Sequence, residues 1–316
     1  MRLLLTGASG FVGGSFMQRY AHRADLDIWG IGRRETALAK YIRHDLSEPL
    51  TLSFKPDVVI HAAARASPWG TRAEFLRDNV QATRQIIDFC EANGQPKLVY
   101  VSSSSVFYRH RHQLGLTEQS PIGPEFVNEY AATKHAGEQL VRRYAGKHVI
   151  VRPRAVFGPG DTVLFPRILR AARKGQLPLF TQPGPPAQGD LIYIDNLCDY
   201  LYTAAVRQDV TGDFNLTNAQ PVVIQDYLAD ILKRLGIPPS RRRIPVRLAM
   251  HTAGALELAY RVLRFKGEPP VTRFGISVFA YSKTFDVGKA VRVLGPCAVS
   301  LEEGTDRFVR WQRDQA

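Results

Sequence analysis

The chain begins Met1-Arg-Leu-Leu-Leu-Thr6-Gly7-Ala8-Ser9-Gly10-Phe11-Val12-Gly13, and this stretch decides the fold. Arg2 to Thr6 has the apolar, compact make-up of a short strand. Glycines follow at 7, 10 and 13, and an amphipathic stretch runs on to about Ala21. Glycines alone punctuate ordinary turns. Placed between a strand and a helix, they read as a dinucleotide-binding turn. Gly7 permits the tight turn, Gly10 lets a pyrophosphate approach the backbone, and Gly13 lets helix and strand pack closely. The start of the helix offers free N–H groups to phosphate. Cofactor contacts are therefore expected from Gly7, Ser9, Gly10, Phe11, Val12 and Gly13.

Outward from this turn, strand-like and helical patterns alternate. Strands are expected at Leu26–Ile31, Tyr41–His44, Asp57–Ile60, Lys97–Val101 and His148–Val151. Thr71 to Asn93 reads as one long helix stopped by Asn-Gly, and Glu129 to Tyr144 as another. The alternation implies an α/β protein, a Rossmann-type doubly wound parallel sheet with helices on both faces. The rhythm changes after about residue 158. Pro178–Gly189 reads as a loop, Leu191–Ile194 and Asp213–Leu216 as late strands returning to the sheet, and 220–282 shows no strand–helix rhythm. The expected organisation is a dinucleotide-binding domain over 1–160, joined by 189–218, with 161–188 and 219–316 forming mainly a smaller C-terminal substrate lobe.

The 316 residues carry 45% hydrophobic and 22% charged side chains, which excludes a disordered chain. No apolar run reaches the ~18 residues of a membrane span, and the apolar start is too short for a signal-peptide core. Cys90, Cys198 and Cys297 are far apart, which excludes a disulfide framework and a zinc ribbon. They fit a reducing, cytoplasmic setting, with Cys90 and Cys198 expected in the core. The net charge is +13, yet no nucleic-acid motif accompanies it, so no nucleic-acid partner is expected. The basic excess reads either as attraction to anionic surfaces or substrates, or as a basic background. His110 and His112 could pair on a metal, but Arg109 and Arg111 flank them and repel a cation, so no metal is expected.

The second strand ends Gly30-Ile31-Gly32-Arg33-Arg34. An acidic residue there would accept hydrogen bonds from the ribose hydroxyls of NAD; here two arginines follow a glycine instead. An arginine fork binds a 2′-phosphate, so NADP(H) is expected over NAD(H), the competing reading being a solvated loop.

Thr6-Gly-x-x-Gly-x-x-Gly13 resembles the short-chain dehydrogenase/reductase superfamily in its extended branch. So do His61-Ala62-Ala63-Ala64, Asn79-Val80-x-x-Thr83, Ser102-Ser103-Ser104-Ser105-Val106, Tyr130-x-x-x-Lys134 and Arg152-Pro153 with Gly158-Pro159-Gly160. The resemblance implies a catalytic Ser103, Tyr130 and Lys134, with Ser104 as the fallback for the serine. Tyr130 and Lys134 share a helix face, and the ammonium should lower the phenol below its usual value of about 10, making it a usable acid. Lys134 would also hold the nicotinamide ribose. Further cofactor contacts are implied for Asp45 and Leu46 at the adenine, Ala62, Ala63 and Ala64, Asn79 and Pro153. Asn79 would order a water or the adjoining backbone. His61 would lie near the cofactor without donating a proton. Trp69 reads either as a substrate-lining residue or as a packed aromatic.

Within the family, dehydratases carry acids where this chain has Ser104 and Ser105. Sugar-nucleotide epimerases carry Asn at Ala155 and Arg at Gly189. Arg152–Asp161, Asp190–Asn196, Gly267–Phe274 and Tyr281–Asp286 resemble instead the 3β-hydroxysteroid dehydrogenase and 2-alkyl-3-oxoalkanoate reductase-like branch. This implies an NAD(P)-dependent oxidoreductase acting on a 3-oxo or 3-hydroxy group of a hydrophobic, lipid-like small molecule. The alternatives are a nucleotide-sugar 4-epimerase with bound NAD and a non-catalytic cofactor sensor. A homodimer through helices 71–93 and 129–145 is implied in the same way. Finally, Ser240–Lys266 carries Arg241, Arg242, Arg243, Arg247, Arg261, Arg264 and Lys266 against one acid, Glu257. With Leu248, Ala255, Leu258, Ala259, Val262 and Leu263 at mostly helical spacing, it reads as a basic amphipathic helix. Such a helix lies either on an anionic membrane or with its apolar face on the core.

Overall fold

The computed structural model describes residues 1–238, 240 and 242–315. Seven parallel strands form the central sheet: β1 (Arg2–Thr6), β2 (Asp27–Gly32), β3 (Tyr41–Arg43), β4 (Val58–His61), β5 (Lys97–Val101), β6 (His148–Pro153) and β7 (Gly212–Leu216). Their order is β7-β6-β5-β4-β1-β2-β3, with the strand order reversing beside β1. Neighbouring side chains go to opposite faces. Leu3, Leu5, Val99, Val101, Val149 and Val151 enter one core, and Leu4, Leu98, Tyr100 and Ile150 the other. A sheet covered on both faces explains strands that are apolar throughout rather than alternating. Because all seven strands run the same way, Thr6, Gly32, His61, Val101, Pro153 and Leu216 reach one common edge.

Three helices serve that edge: α1 (Phe11–Tyr20), α2 (Ala82–Ala92) and α3 (Glu129–Val141). The single helix expected over Thr71–Asn93 is broken. A four-residue helical turn, Arg72–Phe75, leads into a wider π-helical segment, Leu76–Gln81, before α2 begins. Periodicity cannot reveal such a widening, because the segment keeps helical composition. Its effect is local: Asp78 and Asn79, adjacent in sequence, are both buried.

Asp213–Leu216 returns to the sheet as β7, but Leu191–Ile194 does not. Ile192–Tyr193 pairs with Val156–Phe157 as a separate two-stranded ribbon. Within Pro178–Gly189, Leu179–Thr181 and Gln188–Gly189 form short strands rather than plain loop. Leu228 and Ile231 on one late helix, and Leu301 and Phe308 on the C-terminal helix, pack into the main core. A small separate core holds Val246, Ala249, Ala253, Ile276 and Ala280, from α4 (Val246–Val262) and α5 (Arg273–Ala280). Arg241 and Ala316 lie outside the described residues.

Candidate active site

The glycine turn is built at the limit of close approach. Gly7 has φ +74°, and a Cβ there would lie 2.8 Å from the Ala63 nitrogen. A Cβ on Gly13 would lie 2.3 Å from the Gly7 carbonyl oxygen. Neither position can carry a side chain, so strand, turn and helix stay in contact. Gly10 caps α1 with extended backbone and no side chain over the helix start, leaving a cradle of N–H groups suited to pyrophosphate.

Buried hydrogen bonds connect this turn to the rest of the edge. The Ala63 N–H donates to Thr6 Oγ1 at 3.2 Å, and Thr6 Oγ1 lies 2.7 Å from His61 Nδ1. His61 Nε2 lies 3.1 Å from Thr83 Oγ1, which donates to the Asn79 carbonyl at 2.6 Å. With Thr83 spending its proton on a carbonyl, His61 must donate through Nε2 and accept from Thr6 through Nδ1. One neutral tautomer satisfies the whole chain. Burial first, and Lys134 second, push the imidazole down to about 3. His61 therefore staples the end of β4 to β1 and to the π-helical segment, and holds no exchangeable charge near pH 7.

Asn79 makes a second staple. Its Oδ1 accepts from the Arg65 N–H at 2.7 Å, and its Nδ2 donates to Thr133 Oγ1 at 3.0 Å. Thr133 in turn donates to the Glu129 carbonyl at 2.8 Å. Asn79 thus joins the backbone after β4 to α3, the helix carrying Tyr130 and Lys134.

Ser103 follows β5 and caps a 3-10 turn, accepting from the Ser105 N–H at 3.2 Å and from Ser105 Oγ at 2.9 Å. Ser103 also lies close enough to Tyr130 to draw the phenol down. Ser104 is buried and paired with the Tyr108 hydroxyl at 3.1 Å, so the structure brings Ser103 rather than Ser104 to the tyrosine. Tyr130 is half-buried as a residue, but its hydroxyl end sits deep. Burial outweighs Ser103 and holds it above its ordinary 10.

The expectation that Lys134 lowers the tyrosine is corrected here. The Lys134 ammonium lies 4.3 Å from the centre of the Tyr100 ring, and burial pushes it down to about 7, against the pull of Glu138. Desolvation disfavours the charged form of both partners, so each moves toward neutrality.

One positioning network was absent from the sequence reading. Glu138, fully buried one turn beyond Lys134, accepts from Ser102 Oγ at 2.6 Å, beside Ser103. It also takes two hydrogen bonds from Arg152, at 2.8 Å from Nε and 2.7 Å from Nη2. Arg152 reaches Asp213 at 2.7 Å, so β5, α3, β6 and β7 are tied together behind the site. Burial pushes the Glu138 carboxyl up, but Arg152, His135 and Ser102 prevail and hold it at about 2. The spacing of Glu138, four residues after Lys134 on the same helix face, was the available signal.

Arg33 and Arg34 both flank the glycine turn. Arg33 is half-exposed and lies 3.3 Å from Asp78 and 4.0 Å from Asp45. Arg34 donates to the Ser9 carbonyl inside the turn. A Cβ on Gly32 would lie 2.8 Å from Ser9 Oγ and 2.7 Å from the Tyr41 hydroxyl, so an acid at this position would have to displace both side-chain ends. Asp45 is half-exposed beside Arg33, while Leu46 is buried in the core. Ala62, Ala63 and Ala64 run half-buried past Gly7, and Pro153 is buried at the end of β6. Phe11 and Val12, half-buried, open α1. His112 accepts at Nδ1 from the Ser282 N–H at 3.1 Å, and Trp69 packs edge-on against Tyr260 with ring centres 6.3 Å apart. Cys90 and Cys198 are fully buried.

Residues 3–217 match the NAD dependent epimerase/dehydratase family. A 2-alkyl-3-oxoalkanoate reductase from Shewanella oneidensis is 32% identical, over 96% of this chain and 84% of its own. One of the same name from Stenotrophomonas maltophilia is 30% identical over 98% of each. A 3beta-hydroxysteroid-dehydrogenase/decarboxylase from Arabidopsis thaliana is 31% identical over 80% of this chain and 61% of its own. Among solved structures, MoeE5 in complex with UDP-glucose and NAD superposes with a TM-score of 0.76 at 22% identity, over 100% of this chain and 99% of its own. At that identity the likeness is one of fold.

Proposed function

Because the chain belongs to the NAD dependent epimerase/dehydratase family, within its 3-oxoalkanoate reductase and 3β-hydroxysteroid dehydrogenase-like branch, we propose a specific oxidoreductase activity for it. It is an NAD(P)-dependent enzyme that prefers NADP(H) and reduces a 3-oxo group on a hydrophobic, lipid-like molecule. The observation that carries this reading is the convergence of Ser103, Tyr130 and Lys134 with the glycine turn at one edge of the sheet. Bound NADPH supplies hydride to the carbonyl carbon. Gly7, Ser9, Gly10, Phe11, Val12 and Gly13 hold its pyrophosphate, and Arg33 and Arg34 its 2′-phosphate. Asp45, Leu46 and Ala62–Ala64 flank the adenosine side. Asn79, which holds the backbone at Arg65, would support the nicotinamide half, and Pro153 would stand on the nicotinamide side. Ser103 donates a hydrogen bond to the substrate oxygen, and Tyr130 gives that oxygen its proton. Lys134 lies one helical turn on, where it would hold the ribose.

The substrate class is supported by what stands at Gly189. A Cβ there would lie 3.0 Å from Ile224 Cδ1 and 3.3 Å from Arg154 Nη2. A side chain at this position, such as the arginine of sugar-nucleotide enzymes, would have to displace the ends of Ile224 and Arg154. With Ala155 also lacking an amide, the pocket wall has little to offer a nucleoside diphosphate.

The test is calorimetry with cofactor-stripped protein, then NADPH absorbance with long-chain 3-oxo acids and 3-oxosteroids. NADPH should bind well ahead of NADH. Arg33→Ser/Arg34→Ser should weaken NADPH by roughly ten- to a hundredfold and leave NADH unchanged, as expected for lost charge-assisted hydrogen bonds. Tyr130→Phe should cost roughly 10²- to 10⁴-fold in turnover with cofactor affinity intact. Tightly retained NAD⁺ together with uridine diphosphate binding would overturn the reading in favour of an epimerase.

A further inference from the structure

Helix α4 is packed the wrong way round for a lobe helix. Its buried side is narrow and made of Val246, Ala249, Ala253 and Glu257, the last taken up by Arg273 at 3.1 Å. Its large apolar residues face solvent: Leu248 is 56% exposed, Leu258 63% and Val262 68%. At 100° per residue, Leu248, Ala255, Leu258 and Val262 fall within about 80° of arc, an apolar stripe interrupted by exposed His251. Past the helix end Leu263, Phe265 and Val271 are exposed as well, Phe265 packing on Tyr260. Isolated exposed leucines are ordinary on a protein surface, but a stripe of this kind is not.

The rim of the stripe is basic. Arg247, Arg261, Arg264 and Lys266 are exposed, and none takes part in the salt bridges among the described residues. The one acid of α4, Glu257, is turned inward. An apolar stripe edged with unpaired cations complements an anionic phospholipid surface, apolar side chains entering the acyl boundary and arginines meeting phosphate. A different side of α4 meets the loop that leaves β4. Arg261 stacks 5.3 Å over Trp69, and Tyr260 bridges Trp69 to Phe265, with ring centres 6.3 and 5.2 Å apart. Trp69 belongs to the loop that leaves β4.

We propose that the exposed apolar side of α4, with the basic residues around it and just beyond its end, forms a docking surface for an anionic bilayer. Vesicle binding needs neither cofactor nor substrate, so this proposal stands or falls apart from the catalytic reading.

The experiment is flotation of the full chain with vesicles of phosphatidylcholine alone, or with about one third phosphatidylglycerol. Binding to the anionic vesicles, weakened by salt and absent on neutral ones, is expected. Arg264→Gln/Lys266→Gln should weaken it about 25-fold, at about fivefold per basic side chain. Leu258→Asp/Val262→Asp should abolish it, while the melting temperature and NADPH binding stay those of the wild type. Wild-type protein that stays out of the anionic vesicle fraction would overturn the proposal, as would an Asp variant that floats equally well. A dimer that falls to monomer in sedimentation when Leu258 and Val262 become Asp would overturn it too, by assigning the stripe to a second copy of the chain.

Discussion

Replacing Glu138 by Gln tests whether the buried ion pair supports the site as argued. The substitution keeps volume and, through its amide oxygen, the ability to accept from Ser102, while it removes the charge that faces Arg152 and one of the two hydrogen bonds from the guanidinium. Arg152 and Ser102 hold the carboxyl at about 2 in the folded chain against 4.5 in the free side chain, a difference worth about 3 kcal/mol of stability at neutral pH. Both side chains are fully buried, so solvent screening takes little from this figure. Asp213, at 2.7 Å, remains to partner Arg152, which keeps the loss well below the cost of an isolated buried cation. A loss of about 3 kcal/mol in urea denaturation at pH 7 is expected. The sign with pH follows from a folded value below the unfolded one: the contribution is present above 4.5 and lost as pH falls toward 2. By pH 3 about 2 kcal/mol of it is gone, so wild type and variant should approach one another in acid. Because other carboxylates titrate equally in both proteins, the comparison isolates Glu138. A difference under about 1 kcal/mol at pH 7, or one that fails to narrow at pH 3, would refute the reasoning.

Gly13→Ala forces a methyl to within 2.3 Å of the Gly7 carbonyl, so cofactor affinity should fall at least tenfold, an overpacking effect read by calorimetry. Lys134→Met should raise the melting temperature at pH 7 while abolishing turnover. The folded value of about 7 lies below the unfolded 10.5, so the unfolded chain binds more protons between the two, and the buried ammonium destabilises the wild type there. A lower melting temperature would show that the ammonium contributes more through its contacts than burial costs. The reduction rate should fall as pH rises through about 7, where Lys134 loses its proton. A rate that climbed through that range would place the titration on another group.

The order of the elements and the glycine turn were legible because each rests on local chemistry. Strand, glycine and helix follow one another along a few residues, and the bounds of β1 and β5 match those expected from sequence. What stayed hidden depends on contacts far apart in the chain. Ile192–Tyr193 has strand composition whether it joins the main sheet or pairs with Val156–Phe157, and only the chain path after Pro153 decides between them. Glu138 reads as an ordinary helix acid until Arg152, fourteen residues later, folds back onto it. The apolar spacing of α4 was equally visible, but spacing does not say which face a helix buries. The small residues Ala249 and Ala253 win the core side because α5 approaches closely with Ile276 and Ala280.

The electrostatics of the site bear on direction. A simple cation–phenol pair would place a phenolate next to an ammonium and serve oxidation, where the tyrosine must accept a proton. Burial acts against that pair from both ends, raising Tyr130 and lowering Lys134. The phenol therefore holds its proton more firmly than a free tyrosine, and the protonated form is the one that reduction consumes. Glu138 is the counterweight: its pull on Lys134 opposes desolvation, and its hydrogen bond to Ser102 holds the backbone that carries Ser103. Loss of the Glu138 charge should thus lower Lys134 further, and loss of its whole side chain should loosen the serine as well. One buried carboxylate links the stability of the sheet edge to the proton inventory of the site.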